Sequence, residues 1–119
     1  MRNYNAQNII PYLTVMDTTI YSQAMSLQTT DNFSIQVTYT GTPTGSFQLE
    51  ASNDPYSFYQ QAPTNWTPIP NSSQAVSSAG NVMWDFSECG FNYVRVAYTD
   101  SSGGTSTAVI IASSFNGKE

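Results

Sequence analysis

The chain has 119 residues, of which 9% are charged, and its net charge is −5. Its positive side chains are Arg2, Arg95 and Lys118. This length suits one domain with one core. Three cations are too few to neutralise the phosphates of a nucleic acid, and they argue equally against an anionic membrane surface as the partner. No stretch approaches the length of about 20 apolar residues that a membrane-spanning helix needs, and the first residues lack the apolar segment of a signal peptide. We therefore expect synthesis in a cytoplasm.

The first eleven residues are polar and rich in Asn, and we expect residues 1 to 11 to form an extended arm that ends at Pro11. The apolar side chains of this arm, Tyr4, Ile9 and Ile10, stand among polar residues. A flexible terminus is the default for such a segment. The sequence therefore predicts that these three residues contact a partner, and that residues 12 to 119 form a single domain.

From residue 12 onward the chain alternates between apolar and polar residues, which is typical of half-buried antiparallel strands. The clearest runs are residues 33–40, 46–52 and 93–99; the other candidates are 12–16, 18–27, 82–86 and 108–112. No window of helical length carries a period of about 3.6 residues. Seven or eight short strands at this spacing predict an all-β fold, an antiparallel β-sandwich of jelly-roll type.

The alternation also predicts which side chains face the core. The expected inward row is Phe33, Ile35, Val37, Phe47, Leu49, Trp66, Trp84, Val94, Val96 and Tyr98. Glycine-rich segments at 41–45 and 100–104 are typical of hairpin turns, so each is expected to join two paired strands. The Ser-rich segment 71–80 is expected to be a loop with one short strand near residue 75.

A cluster of aromatic residues follows the turn Ser52-Asn53-Asp54-Pro55, where Tyr56, Phe58 and Tyr59 lie within four residues of one another. Two interpretations stay open. The rings could fold back and cap the end of the sandwich, or they could form an exposed patch of the kind that marks an interaction site. Aromatic side chains with polar tips suit both protein interfaces and sugar faces. We predict that these three residues bind a partner.

The sequence offers little for catalysis. It contains no His, which removes the usual general base, the common nucleophile systems and most zinc sites. Asp54, Asp85 and Glu88 could approach one another, but their spacing does not set the separation that a glycosidase needs. A calcium site at Asn53 and Asp54 is conceivable, although an Asn-Asp-Pro sequence is more often a turn. We expect no enzyme activity, no metal and no cofactor.

Two further residues receive structural predictions. Arg95 lies on the polar face of its strand, and we expect it to pair with Asp85, Glu50 or Glu88, with an anion contact as the alternative. Cys89 is the single cysteine, so it cannot form a disulfide within the chain, and it is expected to be a small, partly buried residue.

The order of several of these motifs resembles a known family. The segment Ser52-Asn53-Asp54-Pro55, followed by Trp66-Thr67-Pro68-Ile69, resembles a segment of discoidin-like, galactose-binding-type sandwiches. The later "YVRVAYT" at 93–99 and the strand at 108–111 resemble their last strands, so the likeness covers about residues 33 to 112. Secreted discoidin domains are longer and often carry a disulfide, and their sugar-contacting loops have no residue-by-residue match here.

The same pattern recurs in small structural proteins of tailed phages and other bacterial viruses, and this chain is similar to them in length and in its Ser, Thr and Gly content. The resemblance implies a virion structural protein, first a capsid decoration or cement protein, next a spike, fibre or tail component. It implies docking on the major capsid protein or other virion proteins, assembly as a homo-oligomer and localisation in the virion. The alternative is a carbohydrate-binding module that uses the aromatic loop 55–66 to bind a glycan.

Overall fold

The computed structural model of the chain describes residues 4–27, 32–55, 63–87 and 90–118, with the backbone alone at 4–6 and 118. These residues form β-strands and no helix, so no described segment is a helix able to cross a membrane. The strands are β1 (Tyr4–Asn8), β2 (Thr14–Val15), β3 (Ile20–Tyr21), β4 (Met25–Ser26), β5 (Asn32–Thr40), β6 (Gly45–Ser52), β7 (Thr67–Pro68), β8 (Gln74–Val76), β9 (Gly80–Phe86), β10 (Tyr93–Asp100) and β11 (Val109–Lys118).

The strands form two antiparallel sheets that pack face to face. Sheet A has the order β1-β11-β5-β9, and β2 also pairs with β11. Sheet B has the order β3-β10-β6-β7, with β4 on β10 and β8 on β6. The predicted all-β antiparallel sandwich is confirmed. The described strands number eleven rather than seven or eight because short pairings of two or three residues occur in segments that read as loops or as single strands.

The core lies between the sheets and is built from the alternating residues of the long strands. Phe33, Ile35 and Val37 on β5 are buried, with the side chains between them half-buried on the outer face of sheet A. Phe47 packs against two other aromatic side chains. Its ring centroid lies 4.9 Å from that of Tyr98 and 6.4 Å from that of Trp84. Burying each large apolar side chain contributes about 1.5–3 kcal/mol, so this row is the main source of stability. All of the predicted core residues are buried except Trp66.

The described part of the expected N-terminal arm belongs to the sandwich instead. Tyr4–Asn8 pairs with β11 as the edge strand β1 of sheet A. Ile9 and Ile10 are each 3% exposed and lie in the core. The Ile10 backbone N–H donates to Ser113 Oγ at 2.7 Å, which fixes this segment to β11. The expectation of an arm through residue 11 is corrected because β11 offers a free edge that pairs with this segment, and the core accepts both isoleucines.

The two glycine-rich turns are not hairpins, which corrects the prediction. Residues 41–44 lead from β5 in sheet A to β6 in sheet B, and residues 101–108 lead from β10 in sheet B back to β11 in sheet A. The two connections touch, since Ser101 N–H donates to the Thr44 carbonyl at 2.8 Å. A Cβ atom on Gly45 would overlap the Thr99 carbonyl oxygen, so this crossing needs glycine. We call this end of the sandwich the upper end, and the opposite end, where β6 ends and β10 begins, the lower end.

Candidate interaction site

The turn that follows β6 at the lower end is held by the side chain of Asp54. Its Oδ2 atom accepts hydrogen bonds from the backbone N–H groups of Thr64 at 2.7 Å and Asn65 at 3.1 Å. Its Oδ1 atom accepts one from Asn65 Nδ2 at 2.9 Å. Asp54 therefore joins the two ends of the segment that contains the predicted aromatic loop. An Asx side chain in this role is common in turns because its oxygens reach nearby backbone donors.

These hydrogen bonds also set the charge state of Asp54. The bond from the Asn65 side-chain amide, followed by those from the backbone N–H groups of Thr64 and Asn65, holds the pKa of the Asp54 carboxyl below its ordinary value. Hydrogen bonds to the ionised form favour ionisation. Asp54 is therefore a carboxylate at neutral pH, and its charge strengthens the bonds that close the segment.

Asn92 fixes the same turn to the beginning of β10. Its Nδ2 atom donates to the carbonyl oxygens of Asn53 at 3.2 Å and Asp54 at 3.0 Å. Its backbone N–H donates to the Ser52 carbonyl at 3.1 Å. The turn is thus pinned from two sides, by residues about 10 and 40 positions away along the chain. A turn held in this way is rigid enough to present a binding surface.

A cleft of about 510 Å³ opens beside this turn. Its lining is half apolar and half polar by residue. The lining residues are Ala51, Ser52, Asn53, Asp54, Asn65, Thr67, Pro68, Ile69, Pro70 and Phe91. Ligand sites commonly combine apolar walls with a few polar groups, in a volume of about 300–1,000 Å³. The cleft therefore suits a ligand that has both an apolar surface and polar groups.

A second cluster lies on the outer face of sheet B. Arg95 Nε and Glu50 Oε1 form an ion pair at 2.6 Å, so the prediction that Arg95 pairs with one of three acidic residues is confirmed for Glu50. The Arg95 guanidinium carbon lies 4.1 Å from the Tyr21 ring centroid and 4.4 Å from that of Trp66. Trp66 is half-buried and its Nε1 donates to the Pro63 carbonyl at 3.2 Å.

The position of Trp66 is a correction to the predicted core. The residue precedes β7 at the edge of sheet B, and Ile69 is the residue of this segment that is buried in the core. The guanidinium of Arg95 offers a flat cation on the outer face, and such cation–π contacts favour Trp. Trp66 therefore contributes to the outer cluster rather than to the centre of the sandwich.

The structure separates the residues that the sequence grouped as partner-binding. Ile9 and Ile10 are buried, so neither side chain is available on the surface. Tyr4 lies in β1, and its side chain is outside the described set. The aromatic residues Tyr56, Phe58 and Tyr59 lie outside the described residues, as do Glu88 and Cys89.

Several residues of the site carried no sequence signal. The Asn-Asp-Pro turn was recognisable, but Phe91 and Asn92 meet it only because β6 and β10 pair with Ser52 opposite Tyr93. Such contacts depend on strand register rather than on local sequence. Among the described residues, no three His, Cys, Asp or Glu side chains come together as a metal-binding group. The Asp54 oxygens are taken by three N–H donors, which is the chemistry of a turn.

Comparison with known proteins gives a fold and no family. No protein-family model matches the sequence, and no curated protein matches it. Solved structures that share the fold include the following two. One is the SPBc2 prophage-derived protein YomS, with a TM-score of 0.63 and 8% identity, covering 100% of this chain and 96% of that one. The other is the coat protein of Tobacco streak virus, with a TM-score of 0.53 and 7% identity, covering 99% of this chain and 86% of that one.

Proposed function

We propose that this protein is a structural component of a virus particle, and that it acts by docking on other virion proteins. The observation that carries the proposal is the fold, which extends over nearly the whole length of a prophage-derived protein and of a virus coat protein. A fold alone does not define a function, so the surface of the molecule has to support the same role. Capsid decoration is the first form of the proposal, and a spike or tail component is the second.

The composition of the surface supports docking. Charged residues are 9% of the chain, and repeated copies packed on a shell tolerate few like charges. Several large apolar side chains are exposed, and they occur on more than one face. They are Tyr12, Leu13, Val15, Tyr21 and Met83. Three of them, Tyr12, Leu13 and Val15, lie within four residues of one another, and exposed apolar groups that cluster mark interaction sites more often than scattered ones do.

We also propose that the role is non-catalytic. Asp54 holds the turn at the lower end, as described above. Asp100 does the same at the upper end, where its carboxylate accepts hydrogen bonds from Ser102 Oγ at 2.8 Å and from Gly104 N–H at 3.2 Å. Both carboxylates therefore serve the geometry of loops. This use of acidic side chains supports a rigid binding module.

Purified particles provide the test. Particles of the virus that encodes this chain would be separated by density gradient, and this protein would be quantified against the major capsid protein by mass spectrometry. We expect a fixed copy number per particle, with the protein bound to the particle fraction. Separating capsids from tails before quantification distinguishes decoration from a tail component. Recovery of the protein only from the soluble lysate, with particles that lack it, would contradict the proposal.

A glycan ligand is the second candidate, and the mixed lining of the cleft favours it. Asn53, Asn65 and Thr67 line the cleft together with Pro68, Pro70 and Phe91, so amide, hydroxyl and apolar groups are combined, as sugar rings require. A glycan array probed with the wild-type protein and with Thr67→Arg tests this function. Binding that the variant loses supports it, and an array without any bound glycan sets it aside.

A further inference from the structure

One long edge of sheet A has no partner strand. β9 ends the strand order of this sheet, and among the described strands β5 pairs with one side of β9 while none pairs with the other side. An unpaired edge presents backbone N–H and C=O groups in a row, which another strand can complete. The open side of β9 therefore offers hydrogen bonds to an incoming strand.

The other described edge strands are shorter or protected. β3, β4 and β7 have two residues each, β8 has three and β1 has five. β7 also contains Pro68, which has no N–H to donate. β9 has seven residues in unbroken register with β5, and its sequence GNVMWDF contains neither Pro nor Lys. Native proteins commonly protect long edges with such residues or with bulges, so an edge without them indicates a place where strands pair.

The hydrogen bonds identify which residues of β9 face the open side. In an antiparallel pair, alternate residues bond to the neighbouring strand and the residues between them point their backbone groups away from it. The Met83 carbonyl accepts a hydrogen bond from Gln74 Nε2 at 3.0 Å, so Met83 belongs to the second set, together with Asn81 and Asp85. The side chains of these three residues are exposed. Gln74 thus occupies one position at which a partner strand would donate.

We propose that β9 pairs with β9 of a second copy, antiparallel and about a two-fold axis at Met83, so that sheet A continues from one copy into the other. A strand edge is complementary to itself in this arrangement, because each outward N–H meets a C=O of the symmetric strand. Centring the pair on Met83 overlaps all seven residues of β9. Every other register shortens the contact.

The side chains favour the same register. With Met83 opposite its own equivalent, Asn81 lies opposite Asp85 of the other copy. Each carboxylate then meets an amide donor, while the two carboxylates lie about 13 Å apart along the strands, at ~3.3 Å per residue. Like charges that are directly opposed destabilise an antiparallel pair, and complementary side chains stabilise it. Met83 is 55% exposed in the single chain, and the pairing brings it against its equivalent in the other copy.

The contact gains its affinity from main-chain hydrogen bonds, as strand addition to a sheet edge generally does, rather than from apolar area. We therefore expect dimers at high protein concentration and monomers in dilute solution. The net charge of −5 on each copy opposes the contact, so salt should strengthen it by screening. The inference does not rest on the proposed role in a virus particle, because the contact forms between free copies.

Disulfide trapping tests the register directly and suits a weak contact. In a Cys89→Ser background, Met83→Cys should form a covalent dimer under mild oxidation. Directly opposed residues of a hydrogen-bonded antiparallel pair lie about 5.5 Å apart between Cα atoms, which a disulfide can span. Asn81→Cys and Asp85→Cys are the matched controls, because they are exposed on the same strand but lie about 13 Å from their own equivalents. A mixture of the two control variants should give a covalent dimer, since Asn81 lies opposite Asp85.

Sedimentation velocity at increasing protein and salt concentrations tests the contact without a disulfide. Met83→Pro removes an N–H that points away from β5, and edge strands tolerate proline there, so this variant should stay folded and lose the dimer. Asn81→Asp keeps the backbone and places carboxylates opposite one another, which should shift dimerisation to higher concentration. Gln74→Ala removes the competing donor and should shift dimerisation to lower concentration. Thermal unfolding establishes that each variant is folded.

Several results would overturn the inference. One is the absence of a disulfide from Met83→Cys at every protein concentration, and another is an equal yield from the three cysteine positions. A covalent dimer from Asn81→Cys alone would contradict the axis at Met83. Folded Met83→Pro and Asn81→Asp variants that associate as the wild type does would show that the edge of β9 is not the contact.

Discussion

Arg95 and Glu50 lie directly opposite each other on β10 and β6, and Arg95 Nε donates to Glu50 Oε1 at 2.6 Å. The guanidinium also contacts the rings of Tyr21 and Trp66. Arg95 thereby links β3, β6 and the segment before β7, three parts of sheet B that are distant in sequence. The charge of Arg95 is used in contacts within the fold. This favours a structural role for Arg95 and disfavours the alternative of an anion contact.

Replacing this arginine should lower stability moderately. We expect Arg95→Gln to cost about 1–2 kcal/mol, since a partly exposed ion pair contributes up to about 1 kcal/mol and each cation–π contact about 0.5–1 kcal/mol. Urea denaturation measures the loss, and a double-mutant cycle with Glu50→Gln isolates the ion pair. A variant of unchanged stability that fails to dock on particles would instead make Arg95 a partner-binding residue.

The substitution Leu49→Ala tests whether Leu49 belongs to the core. It is fully buried on β6, and its carbonyl accepts a hydrogen bond from the Ile69 backbone N–H at 2.8 Å. Leu49→Ala should lower the free energy of unfolding by about 2–5 kcal/mol, because it removes apolar contacts and leaves a cavity. Met83→Ala, at an exposed position, is the control and should change stability little. Equal denaturation midpoints for the two variants would contradict the register of β6.

The Asp54 carboxylate makes the stability of the turn at the lower end depend on pH in the acidic range. Its pKa is lowered in the folded protein, so its contribution to stability is present above the ordinary pKa and is lost as the pH falls through the lowered value. We expect Asp54→Ala to release the base of segment 55–63 at neutral pH, as acid does in the wild type. Limited proteolysis should then cut this segment faster, with little change in the global unfolding midpoint. Equal cleavage rates in the wild type and the variant at neutral pH would count against this role.

Tyr98 makes the stability of the fold depend on pH in the alkaline range. Burial, and second the nearby Asp100 carboxylate, raise the pKa of Tyr98 to about 12. The unfolded chain loses this proton near pH 10, so the stability from the neutral phenol is present below that pH and is lost as the pH rises toward 12. Tyr98→Phe should flatten the fall in unfolding midpoint between about pH 10 and 12. A profile identical to that of the wild type would assign the alkaline transition to other groups.

The sequence predicts this fold well wherever strand alternation decides the outcome. Phe33, Ile35 and Val37 face the core because each second residue of a strand points to the same side, and the pairing of β5 with β9 and β11 keeps that face inward. The pairing of Arg95 with Glu50 could be predicted for the same reason, because both residues lie on the polar faces of their strands. Local pattern was sufficient for these residues.

The remaining errors all concern contacts between distant parts of the chain. The turn at 41–45 has the composition of a hairpin, but the neighbours of β5 are β9 and β11, which are far along the chain. Ile9 is polar-flanked in sequence, yet it is buried in the core. No sequence rule places a positive φ at Leu13, where the turn is fixed by the Ile110 carbonyl. The cleft likewise depends on strand register.

Sheet A has a consequence for how the chain can fold. Its interior strand β11 comes last among the described strands, and it lies between β1, the first, and β5. During synthesis, β1 and β5 therefore cannot pair with β11 until residues 109–118 have been made. The segments that precede it cannot complete the sheet through local contacts alone, so folding should be slow, as it is for chains of high contact order. Until β11 pairs with them, β1 and β5 expose the strand edges that chaperones would have to protect.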